Sequence, residues 1–426
     1  MVFMGRRAKR ALLSAALLVS VPATVHSEWP QWRGARRDGS VSARATKADW
    51  PATPVLVWER EVGEGYSGPV VAGDRVWVHA RKGDQEVVSS LTLTTGEPVW
   101  SGRYEAPFEQ DESALGHGRG PYATPSLADG RLFTLGVTAV LSAWDAESGK
   151  LLWRRASSEE FEPSFPYFGA AASPLVWGEV CFVHFGGQDR GEVEDPGPGA
   201  MIAWRVADGK ELWRWEGDGP ALAASPVIHQ IGGREQLIFK TQRKIVGLDP
   251  RTGKELWQIP FKVDMDNTIV TPLLIGDRLL TSDWEMGMRA WRIHSTGESW
   301  TVSELWKNSK VSLFMSSPVV VKSQVVGFSH FRRGQLFGLD PNDGDILWRG
   351  ESKWGEHASL IRWGERVLVF LEDGLLIVGE VSGDRFTAVG RYRLARSGIW
   401  GHPALVDDRI IIRHGSRLAV YRVGES

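Results

Sequence analysis

Once His26 is set aside, nine of the ten histidines lie beyond residue 27. Neutral imidazoles could ligate a metal there, and protonated ones could hold an anion. Seven of them (His79, His117, His184, His330, His357, His402 and His414) recur at comparable points of a repeated phrase, whereas His229 and His294 do not. No HxH or HExxH spacing backs the metal reading, and the alternative is that each ring hydrogen-bonds neighbouring backbone. Asp264, Asp266 and Asn267, with Asp283 and Glu285 further on, offer hard oxygen donors for Ca²⁺ but lack EF-hand spacing; otherwise they are solvated loop carboxylates. Aromatic residues (Tyr66, Tyr122, Phe165, Tyr167, Phe168, Phe314, Trp354, Trp400) precede the same phrase, and Arg81, Arg190, Arg243, Arg332 and Arg333 follow it. That mixture suits a recognition surface; equally, the rings could plug a channel whose rim the arginines solvate.

Several chemistries are excluded by the composition. Cys181 is the only cysteine and lies in an apolar string, so there is no intramolecular disulfide, no CxxC redox centre, no CxxCH haem attachment and no cysteine-based zinc site. A P-loop and a GxSxG elbow are both missing. With 50 basic against 52 acidic residues and no basic block, the chain has no electrostatic footprint for nucleic acid.

The elements that must position these side chains emerge from internal repetition. A small residue and Pro, followed by apolar residues, recur at Pro69, Pro125, Pro174, Pro226, Pro272, Pro318, a degenerate Leu360, and Pro403, at steps of 42 to 56 residues. A second phrase, fullest as Gly247-Leu248-Asp249-Pro250-Arg251-Thr252-Gly253-Lys254-Glu255-Leu256-Trp257, closes most units. The glycine permits a tight hairpin, and the terminal tryptophan has a large area to bury against the next unit. Trp58, Trp100, Trp153, Trp213, Trp257, Trp306 and Trp348 are therefore read as structural residues that dock one unit on the next. About four strands fit each unit, the size of a propeller blade. The eighth unit has room for only three, and an orphan strand at Val55-Leu56-Val57-Trp58 completes it. The expected fold is an all-β, eight-bladed propeller closed by its N-terminal strand, spanning 55–426.

Strand alternation puts the segments before strands A and the B–C loops on one face. That face gathers Tyr66, His79, Arg81, His117, Tyr122, Phe168, His184, Arg190, Arg243, Asn267, Asp283, His330, Arg332, Trp354, His357, Trp400, His402 and His414 as the candidate ligand or partner surface. Ser101 to Tyr122 and Gly186 to Gly199 read as two long loops, the second able to lid the channel mouth.

Arg6, Arg7, Lys9 and Arg10 followed by the apolar run Ala11 to Ala23 read as a signal peptide over 1–27, cut ahead of Glu28 or after Ala23 and exported by either the general or the twin-arginine route. Residues 28–54 form an N-terminal extension. The run is too short to span a bilayer comfortably, and no cysteine near the cut offers a lipid anchor. The expected location is periplasmic or secreted.

The eleven-residue tryptophan phrase resembles the docking motif of the pyrroloquinoline quinone (PQQ) propellers over essentially 55–423, and Trp29-Pro30-Gln31-Trp32-Arg33-Gly34 with Arg37-Asp38-Gly39 resembles the start of exported PQQ-like repeat proteins. This resemblance implies one of two roles. Quinoprotein dehydrogenases use an adjacent Cys pair, a Trp stacked on the quinone, Ca²⁺ held by Glu, Asn and Asp, and a catalytic Asp; a lone Cys181 cannot supply the pair. The non-enzymatic propellers typified by BamB are scaffolds in outer-membrane barrel assembly. The expected function is a binding or scaffold protein, monomeric and without a cofactor, that takes a protein or small ligand at its channel mouth. The alternative is a PQQ- and Ca²⁺-dependent alcohol or sugar dehydrogenase with a non-standard site.

Overall fold

A proline at the head of a strand fixes φ and gives up an N–H that the ladder does not need there. In this chain it introduces the innermost strand of nearly every repeat. The computed structural model describes residues 28–41, 53–110, 112, 116, 118–166, 168–187, 198–263, 268–297 and 299–423; the leader, His117, Arg190 and Asn267 lie outside them. Eight blades of four antiparallel strands, here 1 to 8, form the propeller, and blade 7 carries Ser40–Val41 as a fifth, parallel strand. The innermost strands, A, are Val70–Ala72, Ser126–Ala128, Leu175–Trp177, Val227–Ile231, Leu273–Ile275, Val319–Val321, Ala358–Trp363 and Ala404–Val406. Strands B, C and D follow outwards in chain order in blades 1 to 7. Blade 8 takes its fourth strand from Val55–Glu61, paired from Val55 against Arg422 to Glu61 against Arg417. The ring is thus closed by the N-terminal strand. Of the loop expected over Ser101 to Tyr122, the first five residues belong instead to strand D of blade 1, Pro98–Glu105. Among the described residues no helix is long and apolar enough to cross a membrane.

Each B strand is covered on both faces because every blade packs against two neighbours. In Arg75–Lys82 everything from Val76 to Arg81 is buried. The outer D strands alternate and carry the solvent face.

Just before the tryptophan of each D strand that carries one the C–D register slips, as between Leu151 and Trp153 or Leu56 and Trp58, and such a bulge re-aims a side chain. The indole N–H of Trp58, Trp100, Trp153, Trp213 and Trp306 reaches the following blade, donating to the carbonyls of Leu93, Ala146, Val206, Pro250 and Pro341 at 2.7–3.1 Å. Each ring lies over the turn glycine of that blade: Gly96, Gly149, Gly209, Gly253 or Gly344. Burying an indole contributes roughly 4–6 kcal/mol by area, before the entropy of ordering it. Trp257 and Trp348 differ. Their N–H groups bond Gln236 and Gln324 within their own blades, at 2.6 and 2.9 Å. The next blades, 5 and 7, lack the standard turn, so contact there is apolar: Trp257 shares a core with Trp291 and Ile293, and Trp348 stacks on Phe386 at 6.0 Å.

At the seam between blades 8 and 1, Arg413 is almost fully buried and donates to the carbonyls of Gly63, Ser67 and His79 at 2.8, 3.3 and 2.6 Å. Burial without a paired carboxylate pulls its pKa down to about 9. Around the channel, hydroxyls from the small-residue-Pro phrase link consecutive blades. Thr124, Ser173, Ser225 and Thr271 accept from the backbone N–H of Gly68, Thr124, Ser173 and Ser225 at 2.9–3.1 Å.

Residues 29–41 fill the centre of the ring. Trp29 bridges Val71 in blade 1, Leu127 of blade 2 donates to Pro30, and Ser40–Val41 pairs in parallel with Arg362 and Trp363 of blade 7. Arg33 donates to the Pro318 carbonyl in blade 6, and Arg37 to the carbonyls of Ser173 and Pro174 in blade 3. Positive φ at Arg33, Gly34, Arg37 and Gly39 folds the segment tightly enough to fit. The segment plugs the channel and leaves a cavity at each end.

Candidate functional site

These hydroxyls tie together the heads of the A strands in blades 1 to 5, and the residues just before the A strands are carried over the channel mouth. There Tyr66, Tyr122, Phe168, Phe314, Trp400, His357 and His402 wall a cavity of about 250 Å³ floored by Trp32 of the plug. The walls are stacked rings. His357 lies parallel to Trp400 at 5.4 Å, Trp400 faces Tyr66 at 5.6 Å, and Tyr66 meets Tyr122 at 5.9 Å. His402 stacks on Trp29 at 5.9 Å and meets Trp32 edge-on at 6.4 Å. Thr124, Ser173, Ser225, Ser317 and Ser359 add hydroxyls near the floor.

Among the described residues that line the chamber none is charged near neutral pH. Burial drives His357 down to about 4, with the Met315 backbone as the one group favouring its protonated form. His402 falls to about 3 through burial and then repulsion from Arg33. Burial lifts Tyr122 to about 12 and raises Tyr66 as well. His402 Nδ1 lies 2.9 Å from the Pro403 carbonyl, so Nε2 carries the lone pair, and it has no aligned hydrogen-bond partner. Among the described residues neither ring nitrogen of His357 has one. The volume falls below the ~300–1,000 Å³ typical of drug-sized ligands, and suits one apolar or aromatic group with a donor to offer the imidazoles.

Of the surface expected from the sequence, the structure brings Tyr66, Tyr122, Phe168, His357, Trp400 and His402 together at this chamber. Others serve elsewhere. His79 and Arg81 are fully buried inside blade 1, 3.3 and 3.5 Å from Glu86, which also accepts from the Tyr104 hydroxyl and, at 2.9 Å, from Val137 N–H. Burial alone would raise Glu86, but His79, Tyr104 and the Val137 amide hold it below the usual carboxylate range. His184 sits between blades 3 and 4 against Phe239 and Trp215, 3.0 Å from the Asp218 carbonyl, and burial lowers it to about 4. His414 bridges Glu59 and Ser397 at 2.9 and 2.8 Å. The Arg243 backbone N–H closes a turn onto Asp218. At the outer rim His330 stacks on Trp284 at 4.5 Å beside exposed Arg332, and Trp354 packs under Arg391.

Asp283, a candidate Ca²⁺ ligand, is buried in an ion pair with Lys240 and accepts the N–H groups of Ile269 and Val270 at 2.8 and 2.9 Å. Among the described residues no group of three or more His, Cys, Asp or Glu is placed to hold a metal. A PQQ–calcium pair needs carboxylates for the cation and cations for the tricarboxylate quinone. The described chamber lining has neither, so these residues do not fit that pair. Sequence reasoning missed Trp32 as the floor, because nothing in the repeat period marks a segment that precedes the ring; Trp29-Pro30-Gln31-Trp32 was its visible trace.

A family model described as outer membrane protein assembly factor BamB matches residues 84–350. Outer membrane protein assembly factor BamB of Shewanella oneidensis is 24% identical over 391 residues, covering 86% of this chain and 88% of that protein. The Burkholderia pseudomallei protein of the same name is 23% identical over 373 residues, covering 75% and 87%. Among solved structures, BamB from Moraxella catarrhalis superposes with a TM-score of 0.61 at 16% identity, over 87% of this chain and all of that one. Quinohemoprotein alcohol dehydrogenase from Comamonas testosteroni gives 0.66 at 14%, over 94% and 81%. At such identities these two likenesses speak to fold alone.

Proposed function

The chain belongs to the family described as outer membrane protein assembly factor BamB, and from that premise we propose that it is an exported, non-enzymatic scaffold that holds a partner protein across its channel-mouth face. The observation that carries this reading is the uncharged aromatic chamber, with two neutral imidazoles whose acceptor sites are unfilled. An apolar or aromatic side chain of the partner would enter it, and the half-buried rim of Trp284, His330 and Phe331 would surround it. A desolvated pocket ringed by contacts that exclude water from it is how binding energy concentrates at protein interfaces. The names of the curated relatives point to the same class of work, an assembly factor. The chamber's donor set argues against the dehydrogenase reading.

The test pairs two titrations of purified protein. Ala223, which lines the chamber, is replaced by Trp to fill it. Partner protein recovered by the parent chain should be lost from Ala223→Trp, while PQQ with Ca²⁺ gives no saturable change in quinone absorbance with either chain. Saturable quinone binding with alcohol- or sugar-dependent dye reduction would overturn the proposal.

A further inference from the structure

On the far side of the plug lies a second cavity, of about 610 Å³, with a different chemistry. One wall is apolar and includes Trp177, Ile228 and Leu274; the other carries the guanidinium groups of Arg36 and Arg37 from the plug and Arg362 from blade 7. Among the described residues only one carboxylate, Asp38, lines it, and that group is already engaged. It accepts the backbone N–H and hydroxyl of Ser40 at 2.9 and 2.6 Å and pairs with Arg36 at 3.4 Å. Arg37 spends its terminal nitrogens on Gln31, Ser173 and Pro174, but its buried Nε has no partner among the described residues. The Arg362 side chain makes no hydrogen bond or ion pair to any described residue. Trp177 is held rigid for contact, its N–H on Glu235 at 3.1 Å and Arg251 over its ring at 5.0 Å.

We propose that this lower cavity is a binding site for a small amphipathic carboxylate, its head group on Arg362 and Arg36 and its apolar body against Trp177, Ile228 and Leu274. A guanidinium presents a planar donor fork that matches a carboxylate. The three guanidiniums exceed the one engaged carboxylate by two charges, so a monoanion is drawn in and a cation repelled. The volume falls within the range of small-molecule sites. Burial already drives Arg37, on the cavity wall, down to about 9, a cost that a bound anion would relieve. Nothing in this site overlaps the chamber above the plug, so the two readings stand or fall separately.

The test uses octanoate as probe on the full mature chain, read by calorimetry and by the carboxylate ¹³C resonance. Octanoate should bind saturably at one site, with octanamide and acetate each at least about tenfold weaker. Arg362→Gln should weaken octanoate by about tenfold or more without moving the melting temperature. If that variant proves poorly folded, Arg36→Gln at an exposed position reads the same loss. Absence of saturable octanoate binding, equal affinity for octanamide, or indifference to both substitutions would overturn the proposal.

Discussion

Replacing His357 and His402 together by Asn should flatten the dependence of stability on pH. Both rings are neutral in the folded chain, with pKa values pulled from an ordinary 6.5 to about 4 and about 3. Between those values and 6.5 the unfolded chain binds protons that the folded chain refuses. Stability is therefore complete above 6.5 and is lost as pH falls. At pH 5 an unfolded imidazole is almost wholly protonated and these two almost wholly neutral, so linkage gives a loss of about 2 kcal/mol each, about 4 kcal/mol for the pair. Near pH 5.5 their joint slope is about 2 kcal/mol per pH unit. Urea unfolding followed by tryptophan fluorescence from pH 7.5 to 5.0 measures it. Acid sensitivity from His184 and His229 is common to parent and variant and cancels in the difference. The double variant should lose this share of the slope whatever its stability at pH 7.5. Parallel pH profiles for the two chains would refute the claim that the chamber histidines are held neutral.

At the seam, Arg413→Met removes three charge-assisted donors while sparing the desolvation of a guanidinium, so a net loss of about 3 kcal/mol is expected. Hydrogen exchange should then accelerate first in Val55–Glu61, and a uniform acceleration would contradict the latch. Lys240→Met strands the Asp283 carboxylate, which burial already pushes upward, at a cost of about 3–5 kcal/mol. Adding Asp283→Asn should recover much of that in thermal unfolding; no recovery would show that the pair is not coupled. Gly253→Val puts a β-branched residue at φ +72° with its Cβ 2.4 Å from the Trp213 ring, and should cost about 3 kcal/mol. Gly276→Ala, at φ +60° with no atom near, should cost about 1 kcal/mol in the same assay, and equal losses would dismiss the indole contact.

The repeat made the ring legible, because Pro, turn Gly and Trp each solve a local problem that recurs once per blade. Closure was legible for the same reason: a three-stranded last unit and an orphan strand leave one solution. Within the site, Tyr66, Tyr122 and Trp400 could be found because they stand at one register point before the A strands. Registers do not say which way a side chain turns. His79 and Arg81 therefore ended inside blade 1 with Glu86, a partner from the neighbouring strand that sequence spacing does not reveal. The plug was illegible because its partners, Pro318 and Pro174, lie 285 and 137 residues away and offer only backbone carbonyls. Long-range bonds to carbonyls leave no residue-type signature at either end.

The central claim, that the mouth chamber is where a partner protein is held, is tested most directly by site-specific photo-crosslinking in the native host. A benzophenone side chain replaces Phe314 on the chamber wall or, separately, the exposed Val99 on the outer strand of blade 1. The account predicts a discrete protein adduct from position 314, absent from position 99 and abolished when Ala223→Trp fills the chamber. An adduct from position 99 alone, or one from 314 that survives the filled chamber, would contradict it.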